Sequence, residues 1–160
     1  MKECEYSNCW LKETGDLNEL VEEAYALFQT FLKDDAFVFR GKRIEFNEVP
    51  DIISGREGGF EHIATGEQKL GRKKIALYKR KRLVAVPFIK IIIQNCLEKS
   101  CNNLKIFPDK KDVLVWCESL AFLIVLSERK DVFKLITAYV VDKSHKKTSV
   151  IAKANKNDSY

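Results

Sequence analysis

Histidine is nearly absent from this chain: 160 residues contain two, His62 and His145. A zinc-protease helix needs two histidines one turn apart, and His62 stands alone. There is no phosphate-binding glycine loop of the P-loop type and no dinucleotide fingerprint, which removes the usual cradles for nucleotide cofactors. Long hydrophobic runs are missing as well. The longest are broken by Lys90 and by Glu118-Ser119, well short of the roughly 20 clean residues a membrane-spanning helix needs. The five cysteines (Cys4, Cys9, Cys96, Cys101, Cys117) are odd in number, and two lie in strongly apolar context, unlike a secreted disulfide framework. Cys4 and Cys9 share their spacing with Cys96 and Cys101, which raises a four-thiolate zinc site. The flanks lack glycine-rich knuckle turns, so ordinary thiols are the simpler reading and no metal or cofactor is expected. The polar opening Met1-Lys2-Glu3-Cys4-Glu5 predicts no signal peptide, and with the thiols it predicts a cytoplasmic chain. No internal repeat is visible.

What is present is enough for one domain with a real core. Hydrophobic content of 46% beside 32% charged residues is that of a globular protein, and a net charge of +5 permits a polyanionic partner without demanding one.

Asp16 and Glu19 form a capping-box pattern that starts a helix, and Leu20, Val21, Ala24, Leu27, Phe28, Phe31 and Leu32 fall on one face of it. Aromatics alternating around Gly41, from Phe37 to Phe46, predict a β-hairpin. Residues 47–59 carry Pro50, Gly55, Gly58 and Gly59 and read as loop. Phe60 to Thr65 reads as a short strand that delivers His62 to one face. Arg72 to Arg82 reads as a basic helix. Pro87 then suits the first turn of another, with Phe88, Ile89, Ile92, Ile93 and Cys96 inward and Lys90, Gln94 and Glu98 opposite. The last third predicts an antiparallel meander: 112–117, 120–126 and 132–141. Its middle strand is apolar on both faces and should be covered twice. Residues 142–160 read as a basic mobile tail.

Three features carry chemistry. His62 is the candidate for proton transfer near neutral pH, since an unperturbed imidazole titrates at about 6.5. The plain alternative is a surface histidine bonded to backbone. Lys69, Arg72, Lys73, Lys74, Lys79, Arg80, Lys81 and Arg82 have no acid among them, whereas solvated faces usually mix signs. Such a ridge would follow a phosphate backbone, with Lys69, Arg72, Lys73, Lys79 and Arg80 as the RNA-binding candidates. Thr137 and Tyr139 are expected to share a strand face with Phe133 and Leu135. There a threonine can hold a phosphate oxygen and a tyrosine can stack or donate, although both are also good strand formers.

Gly59-Phe60-Glu61-His62-Ile63, Arg80-Lys81-Arg82-Leu83 running to Pro87-Phe88-Ile89-Lys90, and Leu135-Ile136-Thr137-Ala138-Tyr139 together resemble the barnase–colicin–RelE-like ribonuclease superfamily. The likeness is to its phage- and mobile-element-associated branch. There the corresponding signatures are Phe-x-His-Ile, an arginine-rich helix before Pro-aromatic-Ile-Arg/Lys, and a strand ending in Thr-Ala-Tyr. The likeness covers roughly residues 60–141. The tryptophan expected beside Pro87 is missing, and the first sixty residues match nothing in that pattern.

The resemblance implies an α+β fold: an N-terminal helix and hairpin (residues 1–59), then a core (60–141) of helices packed on a roughly four-stranded antiparallel sheet. It implies a metal-independent endoribonuclease without cofactor, often a toxin held by a protein antitoxin or inhibitor, that cleaves by 2′-hydroxyl attack on the adjacent phosphate. His62 would be acid or base, Arg82 and Lys90 would stabilise charge, Thr137 would position phosphate, and Tyr139 would orient or stack. The rival expectations are a non-catalytic nucleic-acid-binding module and a partner-binding protein whose basic segment is incidental.

Overall fold

The computed structural model describes residues 5–13, 15–97, 101–142 and 144–156. The capping-box helix forms as α1 (Leu17–Lys33), with Asp16 Oδ1 accepting from the Asn18 N–H at 3.2 Å and Leu20, Val21, Ala24, Phe28 and Phe31 buried. The expected hairpin is β1 (Val38–Phe39) and β2 (Lys42–Glu45). Its two turn residues, Arg40 and Gly41, both have positive φ (50° and 77°), the turn whose twist matches paired strands.

The region read as strand plus basic helix folds the other way round. Phe60, Ile63 and Ala64 stand at i, i+3 and i+4, and that spacing wins: α2 (Gly58–Ala64) is a helix with those three buried. Gly59 is required there, because a Cβ would lie 3.0 Å from the Asn47 N. The expected helix over 72–82 is instead a hairpin, β3 (Thr65–Leu70) and β4 (Lys73–Tyr78), followed by the short α3 (Arg80–Val84). Gly71, at φ 62°, supplies the turn that a continuous helix would not contain. α4 (Val86–Ile91) runs into a π-helical turn (Ile92–Cys96), and the expected inward residues Phe88, Ile89, Ile92, Ile93 and Cys96 are all buried. Glu98 lies outside the described residues, as does Cys4.

The meander is longer than expected. β5 (Leu104–Asp109), β6 (Asp112–Cys117), β7 (Phe122–Glu128) and β8 (Val132–Val140) pair antiparallel in succession. Pro108 obscures β5 in the sequence, but β5 is an edge strand, where proline is tolerated. The fold is α+β, as expected. The sheet, however, is mixed and six-stranded among the described residues, in the order β1-β2-β8-β7-β6-β5, because β2 docks parallel to the start of β8. It curls enough for Val38 and Phe39 of β1 and Ile106 of β5 to line one cavity.

Both faces of β7 are covered. One meets the main core under α1, α2, α3 and α4. The other meets a second cluster of Phe107, Leu114, Trp116, Leu123, Val141 and Ala154. The second layer is α5 (Ser144–Lys156), formed by residues expected to be a mobile tail. Val150, Ile151 and Ala154 give it one apolar face, and Lys153–Asp109 (2.9 Å) and Lys105–Asn155 (2.8 Å) tie it to β5. Among the described residues no helix is long and apolar enough to cross a membrane.

Phe60 is fully buried where α1 and α2 meet, with ring centroids 5.0 Å from Tyr25 and 5.4 Å from Phe28. Phe60→Ala leaves a void that aromatic neighbours cannot fill, so a loss of about 3–5 kcal/mol is expected in denaturant unfolding.

Candidate functional site

A register slip in the last strand decides what the site is made of. Val125 faces Thr137 while Leu126 faces Leu135, so Ile136 is an extra residue, a β-bulge. One inserted residue turns everything after it to the opposite face. Phe133 and Leu135 point into the main core, whereas Tyr139 packs on the second cluster, in register with Leu123. The expectation that all four share a face is corrected: the bulge separates Thr137 and Tyr139 from Phe133 and Leu135. It also aims Tyr139 toward the end of β8, where α3 and the start of α5 converge.

These elements enclose an open cleft of about 560 Å³, lined by Gly66, Lys79, Arg80, Lys81, Arg82, Tyr139, Val140, Val141, Asp142 and Lys146. Five of the lining residues are cationic and one is acidic, and the acid, Asp142, is 3.5 Å from Lys81. Arg82 is half-buried in the cleft. Its guanidinium carbon stands 4.9 Å from the centroid of the Tyr139 ring, and Nη1 lies 3.5 Å from the Ile63 carbonyl, a long hydrogen bond. Burial pulls its pKa down, opposed by Tyr139 and Asp142. Arginine remains charged under such pressure, and only one of its five donors is used among the described residues.

The remaining candidates fall in different places. His62 is exposed on α2, one residue before the Ile63 that Arg82 reaches, and α2 packs on β8. It does not itself line the cleft, nor does Thr137, which is half-buried. Lys90 is elsewhere: its Nζ is 3.0 Å from Asp34, at the end of α1, and Gln94 donates to the same carboxylate at 2.9 Å. Gln94 and Lys90 together hold Asp34 at about 2, well below the usual carboxylate range. Lys90 does not line the cleft that holds Arg82, since its ammonium is paired with Asp34 at the end of α1. Lys79 and Arg80 line the cleft, but both Arg80 donors described are used on backbone, Nη1 to the Glu13 carbonyl and Nη2 to the Gly15 carbonyl, each at 3.1 Å. Lys69 lies on β3. Arg72 is in the β3–β4 turn and Lys73 begins β4, both exposed, so the cations form a projecting hairpin and a cleft rather than one helical ridge.

Several contributors escape a reading by local pattern. Lys146 comes from the stretch expected to be a tail, and Asp142 stands at its start. A polar network also fixes α2. Glu61 Oε1 accepts from the Tyr78 hydroxyl at 2.7 Å and from Ser54 Oγ at 3.0 Å. Arg56 donates to the Tyr78 oxygen at 3.2 Å, pairs with Glu22 and lies 5.3 Å over the Tyr25 ring. Burial, and then the bond to Glu61, push Tyr78 up to about 12, so it stays a donor. The residue next to His62 is thus tied to the root of the hairpin and to the 51–57 loop.

Cys9 is exposed, Cys96 is buried and Cys101 is half-buried. Among the described residues no three His, Cys, Asp or Glu side chains stand together as metal ligands. No family model matches the chain, and neither does any curated protein or any solved structure.

Proposed function

We propose that the chain is an endoribonuclease of the barnase–colicin–RelE-like kind, with the phosphate chain of RNA seated in the basic cleft. The observation that carries this reading is Arg82, half-buried over Tyr139, with unused donors in a cleft whose lining is mostly cationic. A guanidinium held in place by a ring and a carbonyl is preorganised for the charge that builds on a phosphoryl group. His62, on the adjoining helix, acts as acid or base in a step in which the 2′-hydroxyl gives up one proton and the departing 5′-oxygen takes one up. Tyr139 seats the guanidinium. The products are a 2′,3′-cyclic phosphate and a free 5′-hydroxyl, which balances the transfer without water or metal. Chelation by EDTA is expected to leave cleavage intact, with cyclic phosphate at the new ends. RNA carrying a single deoxyribose at the scissile position is expected to bind but stay whole, because the nucleophile is gone. Cleavage of that substrate would rule out the mechanism.

A second reading, a nucleic-acid-binding module without catalysis, is favoured by one observation: His62 does not line the cleft. It predicts salt-dependent RNA affinity and no cleavage.

A further inference from the structure

The basic cleft has an apolar neighbour. Trp10, Leu11, Glu13, Lys81, Val84, Val140 and Asp142 line a second pocket of about 290 Å³, and Lys81, Val140 and Asp142 belong to both. That volume is at the lower end of small-ligand sites, which start at roughly 300 Å³. Its far wall is the segment before α1. Two sets of bonds hold that segment along α3: the Leu11 N–H donates to the Val84 carbonyl at 3.0 Å, and Arg80 grips the Glu13 and Gly15 carbonyls. Trp10 stands edge-on to Phe88, centroids 4.5 Å apart, yet 37% of it remains exposed. A large indole fixed by packing but left partly open beside a cationic cleft is placed to receive a flat ring.

We infer that this pocket is a nucleobase subsite, in which Trp10 stacks on one base of a single strand whose phosphates lie in the adjoining cleft. The inference rests on the cleft holding the phosphate chain, as proposed above. Two features fit a base better than another apolar ligand. The pocket opens directly onto the cations, so a ring entering it is tethered to a phosphate one wall away across Lys81. Its rim also carries the carboxylates Glu13 and Asp142, which accept hydrogen bonds from the exocyclic amino groups of cytosine, adenine or guanine and find no such group on thymine. Arg80, by this account, is a positioning residue: it holds the backbone that presents Trp10.

The test uses the whole protein and short single-stranded DNA, which the proposed chemistry leaves uncut. Trp116 is fully buried, so it contributes a constant background and Trp10 reports alone on contact with a ring. Tetranucleotides bearing amino-substituted bases are expected to quench Trp10 fluorescence, and an abasic tetranucleotide of equal charge is not. Trp10→Ala is expected to weaken binding of the base-bearing strand roughly 5- to 150-fold, the range of one lost stacking contact. Its salt dependence should be unchanged, because the phosphate contacts remain. Trp10→Phe keeps an aromatic face against Phe88 and should recover most of the affinity, which separates stacking from a folding defect. Equal quenching by the abasic strand, or a thymidine strand binding as tightly as the others, overturns the subsite while leaving the cleft reading in place. Absence of any salt-dependent binding by anisotropy of a labelled strand overturns both.

Discussion

His62→Ala is expected to lower the rate of RNA cleavage by roughly two to four orders of magnitude, the usual contribution of one general acid or base, with RNA affinity little changed. The imidazole is exposed, so its removal opens no cavity. Phe60, Ile63 and Ala64 still anchor α2 in the core, and Glu61 still holds Tyr78 and Ser54. The thermal midpoint should therefore move little, and a drop in rate can be assigned to chemistry. The affinity should persist because the cations of the cleft are Lys79, Arg80, Lys81, Arg82 and Lys146, and His62 does not line it. Single-turnover cleavage in EDTA, with binding measured separately on a deoxyribose-blocked RNA, separates the two quantities. A wild-type rate in the variant would remove His62 from the mechanism. A wild-type protein that binds RNA and never cuts it would favour the binding module.

The parts legible in the sequence are those where local pattern and tertiary demand agree. α1 has a cap and a one-sided apolar stripe, the first hairpin has Gly41 at its turn, and the helix after Pro87 buries the five residues its spacing selects. The parts that were not legible are those where two patterns compete or where the deciding contact is distant. Residues 60–65 read as a short strand, but Phe60, Ile63 and Ala64 need one shared face toward the core, and only a helix provides it. Residues 72–82 look like one cationic helix until Gly71 is read as a turn between Thr65–Leu70 and Lys73–Tyr78. The two-sided apolar character of β7 did signal a second layer. The layer itself, α5, was hidden because only Val150, Ile151 and Ala154 of a basic stretch face the sheet. At the site, Thr137 and Tyr139 could be picked out as residues, but their orientation depends on the bulge at Ile136, which no period-two pattern reveals. Lys90 shows the reverse problem: its companions Gln94 and Asp34 are sixty residues apart in sequence and 2.9 Å apart in space.

Arg82→Ala is expected to cost about 10²- to 10³-fold in cleavage rate, the effect of removing one preorganised donor at a developing oxyanion. The loss should fall mainly on the chemical step, because Lys79, Lys81 and Lys146 remain in the cleft to hold the strand. Arg82→Lys keeps the charge but discards the planar fork that lies over Tyr139 and reaches the Ile63 carbonyl, so it should recover affinity and only part of the rate. Tyr139 supplies the complementary experiment. Tyr139→Phe retains a ring beneath the guanidinium and should be mild if the ring's role is to seat Arg82; it should be severe if the hydroxyl itself meets the substrate. Tyr139→Leu removes the cation–π contact, worth about 0.5–2 kcal/mol, and leaves Arg82 free to leave its position. A double-mutant cycle between Arg82→Ala and Tyr139→Leu then distinguishes seating from independent action. If Tyr139 works through Arg82, the second substitution adds almost nothing once the first is made. Full additivity would mean that the ring and the guanidinium meet the RNA separately, and an Arg82→Ala protein that cuts at the wild-type rate would move the reacting phosphate out of this cleft altogether.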